Sequence, residues 1–282
     1  MRFMRPKRML VGWIFALGFA LASAVSLAQE EAAQNAYQPT PGQPGKDVIW
    51  LPTEEALVEM MLDVARVRPD DFVIDLGSGD GRTVIASAKR GARARGIEYN
   101  PDMVELSKRN AKSAGVGERV EFINGDIFES DFAQATVITM FLLTEINLKL
   151  RPKLLDLRPG TRIVSNTFAM GAWIADQIVV AENNCQHYCV AHYWVVPAKI
   201  AGRWQSERGE FEFKQSFQMI SGTIKTERGV IEIDDGRLEG VRLSFTAGET
   251  KYIAYVKGDH LEGIAHDQNG SVDWRATALD SR

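Results

Sequence analysis

Hydrophobic and polar positions over residues 47–199 follow two rhythms: short continuous apolar runs, and longer stretches with apolar positions three and four apart. Phe72-Val73-Ile74-Asp75-Leu76 is of the first kind, as expected of a strand covered on both faces. Ala94 to Glu98, Val120 to Asn124, Ala135 to Phe141 and Thr161 to Asn166 repeat it. Between them lie helical patterns. Ala56, Leu57, Met60, Met61 and Val64 form a stripe behind a Thr53 cap, and Val84, Ile85 and Ala88 share one face. Asp102 to Ala114 is stopped by Gly115, and Lys149 to Leu157 by Arg158-Pro159-Gly160. Such alternation predicts an α/β fold, a mostly parallel sheet wrapped by helices, with ligands at the carboxyl ends of the strands.

Beyond Trp194-Val195-Val196-Pro197 the rhythm changes. Phe211 and Phe213, Val230 to Ile233, Leu243 and Phe245, Tyr252 to Val256 and Trp274 follow a period of two between glycine turns. This predicts about seven short strands in an antiparallel meander or small barrel. The expected organisation is a leader over 1–28, a Pro/Gly-rich linker over 29–46, an α/β domain over 47–199 and an antiparallel β domain over 200–282.

The first run leads into Gly77-Ser78-Gly79-Asp80-Gly81-Arg82, whose glycines allow a sharp turn and a close approach by a ligand. Such a loop can serve a dinucleotide, but here Asp75 and Asp80 flank it and no phosphate-cradling lysine follows. Carboxylates repel a pyrophosphate and attract an ammonium or sulfonium. Glu98 ends the second strand, where a carboxylate can accept both hydroxyls of a ribose, and Tyr99 follows it. Asp126, after the third strand, can accept from an adenine amino group while Ile127 lies on the ring. Singly, each acid reads as a turn or helix cap; in this order they define a nucleoside site.

Charge narrows the partners. Four of the 33 basic residues lie in the acid-free leader, leaving 29 against 37 acids, a net −8, which argues against broad nucleic-acid binding. In the leader itself, Arg2, Arg5, Lys7 and Arg8 precede an apolar run from Met9 to Val25 and then Ser26-Leu27-Ala28. This pattern fits a cleaved signal peptide or a single membrane anchor through residues 9–27. In either case the domains belong outside the cytoplasm, periplasmic or tethered to the inner membrane.

Residues 48–196 resemble the class I S-adenosylmethionine-dependent methyltransferases, with Asp75 to Gly81 as the first motif, Glu98 as the ribose acid and Asp126 as the adenine acid. More narrowly, Leu51-Pro52-Thr53, the loop with Arg82, Gly96-Ile97-Glu98-Tyr99-Asn100-Pro101 and Arg158 to Arg162 resemble protein-lysine methyltransferases acting on mitochondrial carrier and ATP synthase subunits, and their bacterial relatives. The resemblance implies a Rossmann-like seven-stranded sheet, S-adenosylmethionine as cofactor, a protein lysine as acceptor, and Pro52 and Thr53 bordering the methionine end. Met140-Phe141-Leu142-Leu143-Thr144-Glu145 follows the fourth strand in place of an Asn-Pro-Pro-Tyr motif, which disfavours adenine or glutamine acceptors and supplies no identifiable base. A second class stays open: an exported nucleoside- or small-ligand-binding protein without turnover. Gly202-Arg203-Trp204 resembles the opening of lipocalin-like barrels, although a tryptophan closing a barrel end is a structural role in itself. Cys185 and Cys189, with His187 and His192 nearby, leave free thiols or a disulfide open; no metal is expected, because on an extended strand Cys185, His187 and Cys189 would share one face about 6.6 Å apart, too far for a tetrahedral site without a sharp bend.

Overall fold

The computed structural model describes residues 37–280; the leader read over 1–28 and the first part of the 29–46 stretch lie outside the described residues. From residue 55 the elements alternate as the pattern predicts: α1 (Glu55–Val64), β1 (Phe72–Leu76), α2 (Arg82–Lys89), β2 (Arg93–Glu98), α3 (Pro101–Ser113) and β3 (Val120–Asn124). β4 (Val137–Met140), α4 (Thr144–Leu155), β5 (Arg162–Asn166), β6 (Gln177–Val180) and β7 (Val190–Val195) follow. The seven strands form one sheet in the order β3-β2-β1-β4-β5-β7-β6. All neighbours pair in parallel except β7, which runs antiparallel to both β5 and β6.

The chain reverses direction across the sheet between β1 and β4, and a crevice opens at that switch point beyond the carboxyl ends of both strands. Apolar side chains fill both faces of the sheet. Val73, Val84, Ala94 and Val164 belong to the cluster on one face, and Ile74, Ile97, Ile138 and Ile163 to that on the other. This two-sided burial is why β1 reads as an unbroken apolar run. Just before β1, Asp71 is buried and accepts from Thr136 Oγ1 (2.7 Å) and from the Arg68 N–H (2.8 Å), and it pairs with Arg162.

Three local expectations differ. α4 begins at Thr144, five residues before the apolar pattern becomes regular, because Leu143 is extended and turns the chain immediately after β4. Glu145 thus lies in the first helical turn. Thr53 is not the cap of α1: Glu54 holds that position, and the Thr53 hydroxyl accepts from Asn166 Nδ2 (3.1 Å) at the end of β5. The last part of the expected linker is built structure. Pro44 bridges Ile49, and the Gly42 N–H donates to the Trp50 carbonyl (2.8 Å), folding residues 42–50 into a loop against the domain.

Eight further strands, β8 (Gly202–Ser206), β9 (Gly209–Ser216), β10 (Met219–Thr226), β11 (Gly229–Glu239), β12 (Arg242–Ala247), β13 (Thr250–Lys257), β14 (His260–Asp267) and β15 (Gly270–Ala278), pair in sequence order and close with β15 against β8. The barrel is filled. Trp204, Phe211, Phe213, Phe245, Tyr252 and Trp274 are all buried, with neighbouring ring centroids 4.6–6.4 Å apart. Trp204 donates its indole N–H to the Ile200 carbonyl (2.8 Å), pinning the start of the barrel to the chain that enters it.

Candidate active site

The glycine loop leaves β1 with Gly77, Gly79 and Gly81 all at positive φ, a path that side chains rarely follow. The Gly77 and Ser78 N–H groups both donate to the Ile97 carbonyl (2.9 and 3.1 Å), which folds the loop onto β2. From α3, Ser107 Oγ donates to the Gly79 carbonyl (2.8 Å) and Asn110 Nδ2 to the Asp80 carbonyl (2.9 Å). A Cβ on Gly79 would lie 2.6 Å from the indole nitrogen of Trp50, so the loop and the 42–50 segment meet at van der Waals distance. A Cβ on Gly96 would meet Ser78 Oγ at 2.4 Å, which explains a glycine in the middle of β2.

Around this loop one crevice of about 1040 Å³, open mouth included, brings together Pro52, Thr53, Asp75, Gly77, Ser78, Gly79, Glu98, Tyr99, Asp126 and Ile127. Of the residues expected from sequence, Gly81 alone stands apart. It precedes α2, with Phe122 and Ser107 so close that a Cβ would meet them at 2.8–2.9 Å, and so it lets the helix approach its neighbours.

The acids differ in their surroundings. Glu98 accepts the Gly79 N–H on one carboxylate oxygen and the Asn100 N–H on the other, both at 2.9 Å, which orients the group while each oxygen keeps a further lone pair. Asp75 is buried and accepts from Thr139 Oγ1 on adjacent β4 (2.7 Å). Burial pushes its carboxyl up to about 7, Glu98 and Asp80 push the same way, and the Thr139 bond opposes them. Asp126 accepts the Phe128 N–H (2.9 Å) and pairs with Lys46, which holds its carboxyl below the usual range; the same lysine lies 4.8 Å above the Tyr99 ring. Asp80 does not contribute the open negative charge that the sequence suggested. It is paired with Arg82 (2.7 Å), whose guanidinium also donates to the Thr53 carbonyl (2.8 Å). The unpaired negative charge at the loop is therefore that of Glu98, joined by Asp75 once its carboxyl ionises.

The arrangement has the chemistry of a cationic nucleoside site. It offers an oriented carboxylate for vicinal hydroxyls, a buried acid held by a threonine rather than by a base, and a second carboxylate beside Ile127. It also holds the Ser78 hydroxyl, which is buried without a hydrogen-bond partner among the described residues. Comparison with known proteins agrees. The model of the ANTKMT methyltransferase domain matches residues 75–177. A protein-lysine N-methyltransferase of Saccharolobus islandicus is 40% identical over 149 residues, 52% of this chain and 92% of its own length. The chain belongs to the class I S-adenosylmethionine-dependent methyltransferase family. A Salinibacter ruber RNA methyltransferase solved with S-adenosyl-L-homocysteine is 46% identical and superimposes with a TM-score of 0.50, covering 53% of this chain and 96% of that one. An adenine nucleotide translocase lysine N-methyltransferase of Mus musculus is 36% identical over 118 residues, 41% of this chain and 51% of its own length.

S-adenosylmethionine is the cofactor of this methyltransferase, and the residues present suit it. Glu98 and Asp126 would hold the nucleoside, and the loop glycines with Asp75 and Thr53 the methionine end. Sequence reasoning missed three participants: Lys46 and Trp50, hidden in or beside an apparent linker, and Thr139, an ordinary strand residue whose partner becomes visible only when β4 lies beside β1. Cys185 and Cys189 are joined in a disulfide that closes a four-residue step, and His192 stacks on Trp194 and contacts the Thr167 carbonyl (3.1 Å).

Proposed function

We propose that this methyltransferase modifies lysine side chains of proteins, and that it works outside the cytoplasm. The observation that carries the methyl-transfer site is the meeting of Asp75, Glu98 and Asp126, from the ends of three adjacent strands, in one crevice. The lysine acceptor is supported by the relatives from Saccharolobus islandicus and mouse, whose names specify lysine. The Salinibacter ruber relative is named for RNA, but the net −8 outside the leader opposes a polyanion.

When bound, the cofactor supplies an electrophilic methyl group on a sulfonium. This chain's part is placement and exclusion of water. Asp75, once ionised, favours the positive charge at the loop. Met140, Phe141, Leu142 and Ile146 form an apolar wall on the β4 side of the crevice, where an acceptor amine is held away from water. Such a wall lowers the pKa of an amine and so promotes the neutral, nucleophilic form that the displacement requires.

The extracytoplasmic location is supported by the basic-then-apolar leader and by the cysteine pair, since disulfides persist in oxidising compartments. The same leader supports membrane association through residues 9–27. The barrel is read as a buttress. Its filled interior disfavours the lipocalin-like ligand role, and with it a binding protein whose β domain is the working part. Incubating the full chain with methyl-labelled S-adenosylmethionine and cell-envelope extract tests the proposal. Label recovered on protein as methyl-lysine is expected; label confined to RNA would overturn the lysine assignment. A C-terminal reporter active only in the cytoplasm is expected to stay silent, and its activity would overturn the location.

A further inference from the structure

Three aromatic rings from separate segments meet beside the apolar wall. Phe141 directly follows β4 and lines the crevice; Phe168 lies in the β5–β6 connection; Tyr188 lies in the β6–β7 connection. Their centroids are 6.1 Å apart for Phe141 and Phe168, 5.3 Å for Phe141 and Tyr188, and 6.4 Å for Phe168 and Tyr188. The cluster is not a core in the ordinary sense, because the Tyr188 residue remains 44% exposed.

Its backbone is nevertheless firmly held. The Phe168 carbonyl accepts from Ser165 Oγ (2.7 Å) and Asn147 Nδ2 (2.9 Å), and the preceding Thr167 sits at φ +59° with its N–H bonded to the Val190 carbonyl (2.7 Å). Tyr188, at φ +58°, is enclosed by the Cys185–Cys189 disulfide. Three hydrogen bonds thus fix the backbone at Phe168 and the disulfide closes the turn at Tyr188, whose partly exposed ring meets Phe141 at 60° and Phe168 at 38°. Such constraint on an exposed side chain points to recognition rather than to packing.

A group placed against the exposed Tyr188 ring, beside the crevice wall to which Phe141 belongs, lies within the roughly 6 Å at which an ammonium is drawn to an aromatic face. The attraction suits one chemical class in particular. Each methyl added to an amine removes an N–H donor, so hydrogen-bond acceptors lose their hold while ring faces keep theirs. We propose that Phe141, Phe168 and Tyr188 form the acceptor subsite, receiving the alkyl chain of the lysine and, once the methyl group has been transferred, its methylated ammonium. The proposal rests on the lysine reading given above and specifies where that side chain lies.

The test uses the full chain saturated with S-adenosylhomocysteine, titrated by NMR with glycine-flanked peptides carrying either trimethyl-lysine or norleucine. The trimethyl-lysine peptide is expected to bind more tightly. Tyr188→Ala is expected to weaken it about three- to fivefold, and Tyr188→Phe to retain it, because the ring face and not the hydroxyl acts. S-adenosylhomocysteine affinity is expected to be unchanged in both variants, which also shows that they are folded. Equal binding of the two peptides, or equal binding by wild type and Tyr188→Ala, overturns the subsite. Failure of the wild-type chain to bind S-adenosylhomocysteine at all overturns instead the methyltransferase reading beneath it.

Discussion

Burial beneath the glycine loop raises the Asp75 carboxyl to about 7, whereas the unfolded chain ionises it at about 3.8. The native state therefore holds its proton over a window in which the unfolded state has lost it. The stabilisation from this group is complete below about 3.8 and is lost as the pH rises through about 7. Asp75→Asn removes the charge and keeps an acceptor for Thr139. Thermal melts of the cofactor-free protein should show this variant gaining stability over wild type at pH 8 and little difference at pH 4. Cofactor binding should run the opposite way, with wild-type affinity rising as the pH crosses 7 and the variant binding weakly throughout. Parallel pH profiles for the two proteins would contradict the assignment of charge to Asp75. At Gly79 the constraint is steric: alanine there meets both a positive φ and the Trp50 indole at 2.6 Å, so Gly79→Ala should weaken cofactor binding at least tenfold by displacing the 42–50 segment, measured by calorimetry.

Among the elements, β1 to β5 and the helices around them were legible because a strand covered on both faces leaves an unbroken apolar run and a surface helix leaves a stripe. Glu98 and Asp126 were legible because the period of the fold fixes where strand ends fall. What stayed hidden depends on contacts distant in the chain. The Gln43 to Ile49 stretch carries proline, glycine and charge and has no pattern of its own, yet with Trp50 and the Lys46–Asp126 pair it forms one wall of the crevice. The Asp80–Arg82 pair likewise ties up a carboxylate that the sequence left open. Because Lys46 occupies Asp126, it competes with any ligand donor for that carboxylate. Lys46→Ala should tighten cofactor binding a few-fold without changing the melting temperature. Weaker binding would instead make the lysine a closing contact over the ligand.

On the scale of the whole molecule, the chain from Thr40 onward forms a single compact unit, and the barrel leans on the segment that carries Phe168. Phe217 stacks on Trp173 with centroids 6.0 Å apart, Gln218 Nε2 donates to the Ile174 carbonyl (2.8 Å), and Arg237 pairs with Asp176. Asp176 also accepts the Val195 N–H (2.8 Å), so one carboxylate joins the β5–β6 connection, β7 and the barrel. Asp176→Ala strands these donors and should cost about 1–3 kcal/mol in denaturant unfolding, with a rise in the acceptor KM as Phe168 loses support. No change in either would mean that the barrel is independent of the site. The eight barrel strands were anticipated as about seven, since period-two patterning shows strands but not closure, which depends on β15 finding β8.

The most direct measurement is a calorimetric titration of the full chain with S-adenosylmethionine, beside the Glu98→Ala variant. One site per chain is expected in the wild type and its loss in the variant, because the ribose hydroxyls lose their acceptor and the Gly79 and Asn100 N–H groups lose the carboxylate that orders the loop. Undiminished affinity in Glu98→Ala, or no binding by the wild type, would contradict the assignment of this crevice as the cofactor site.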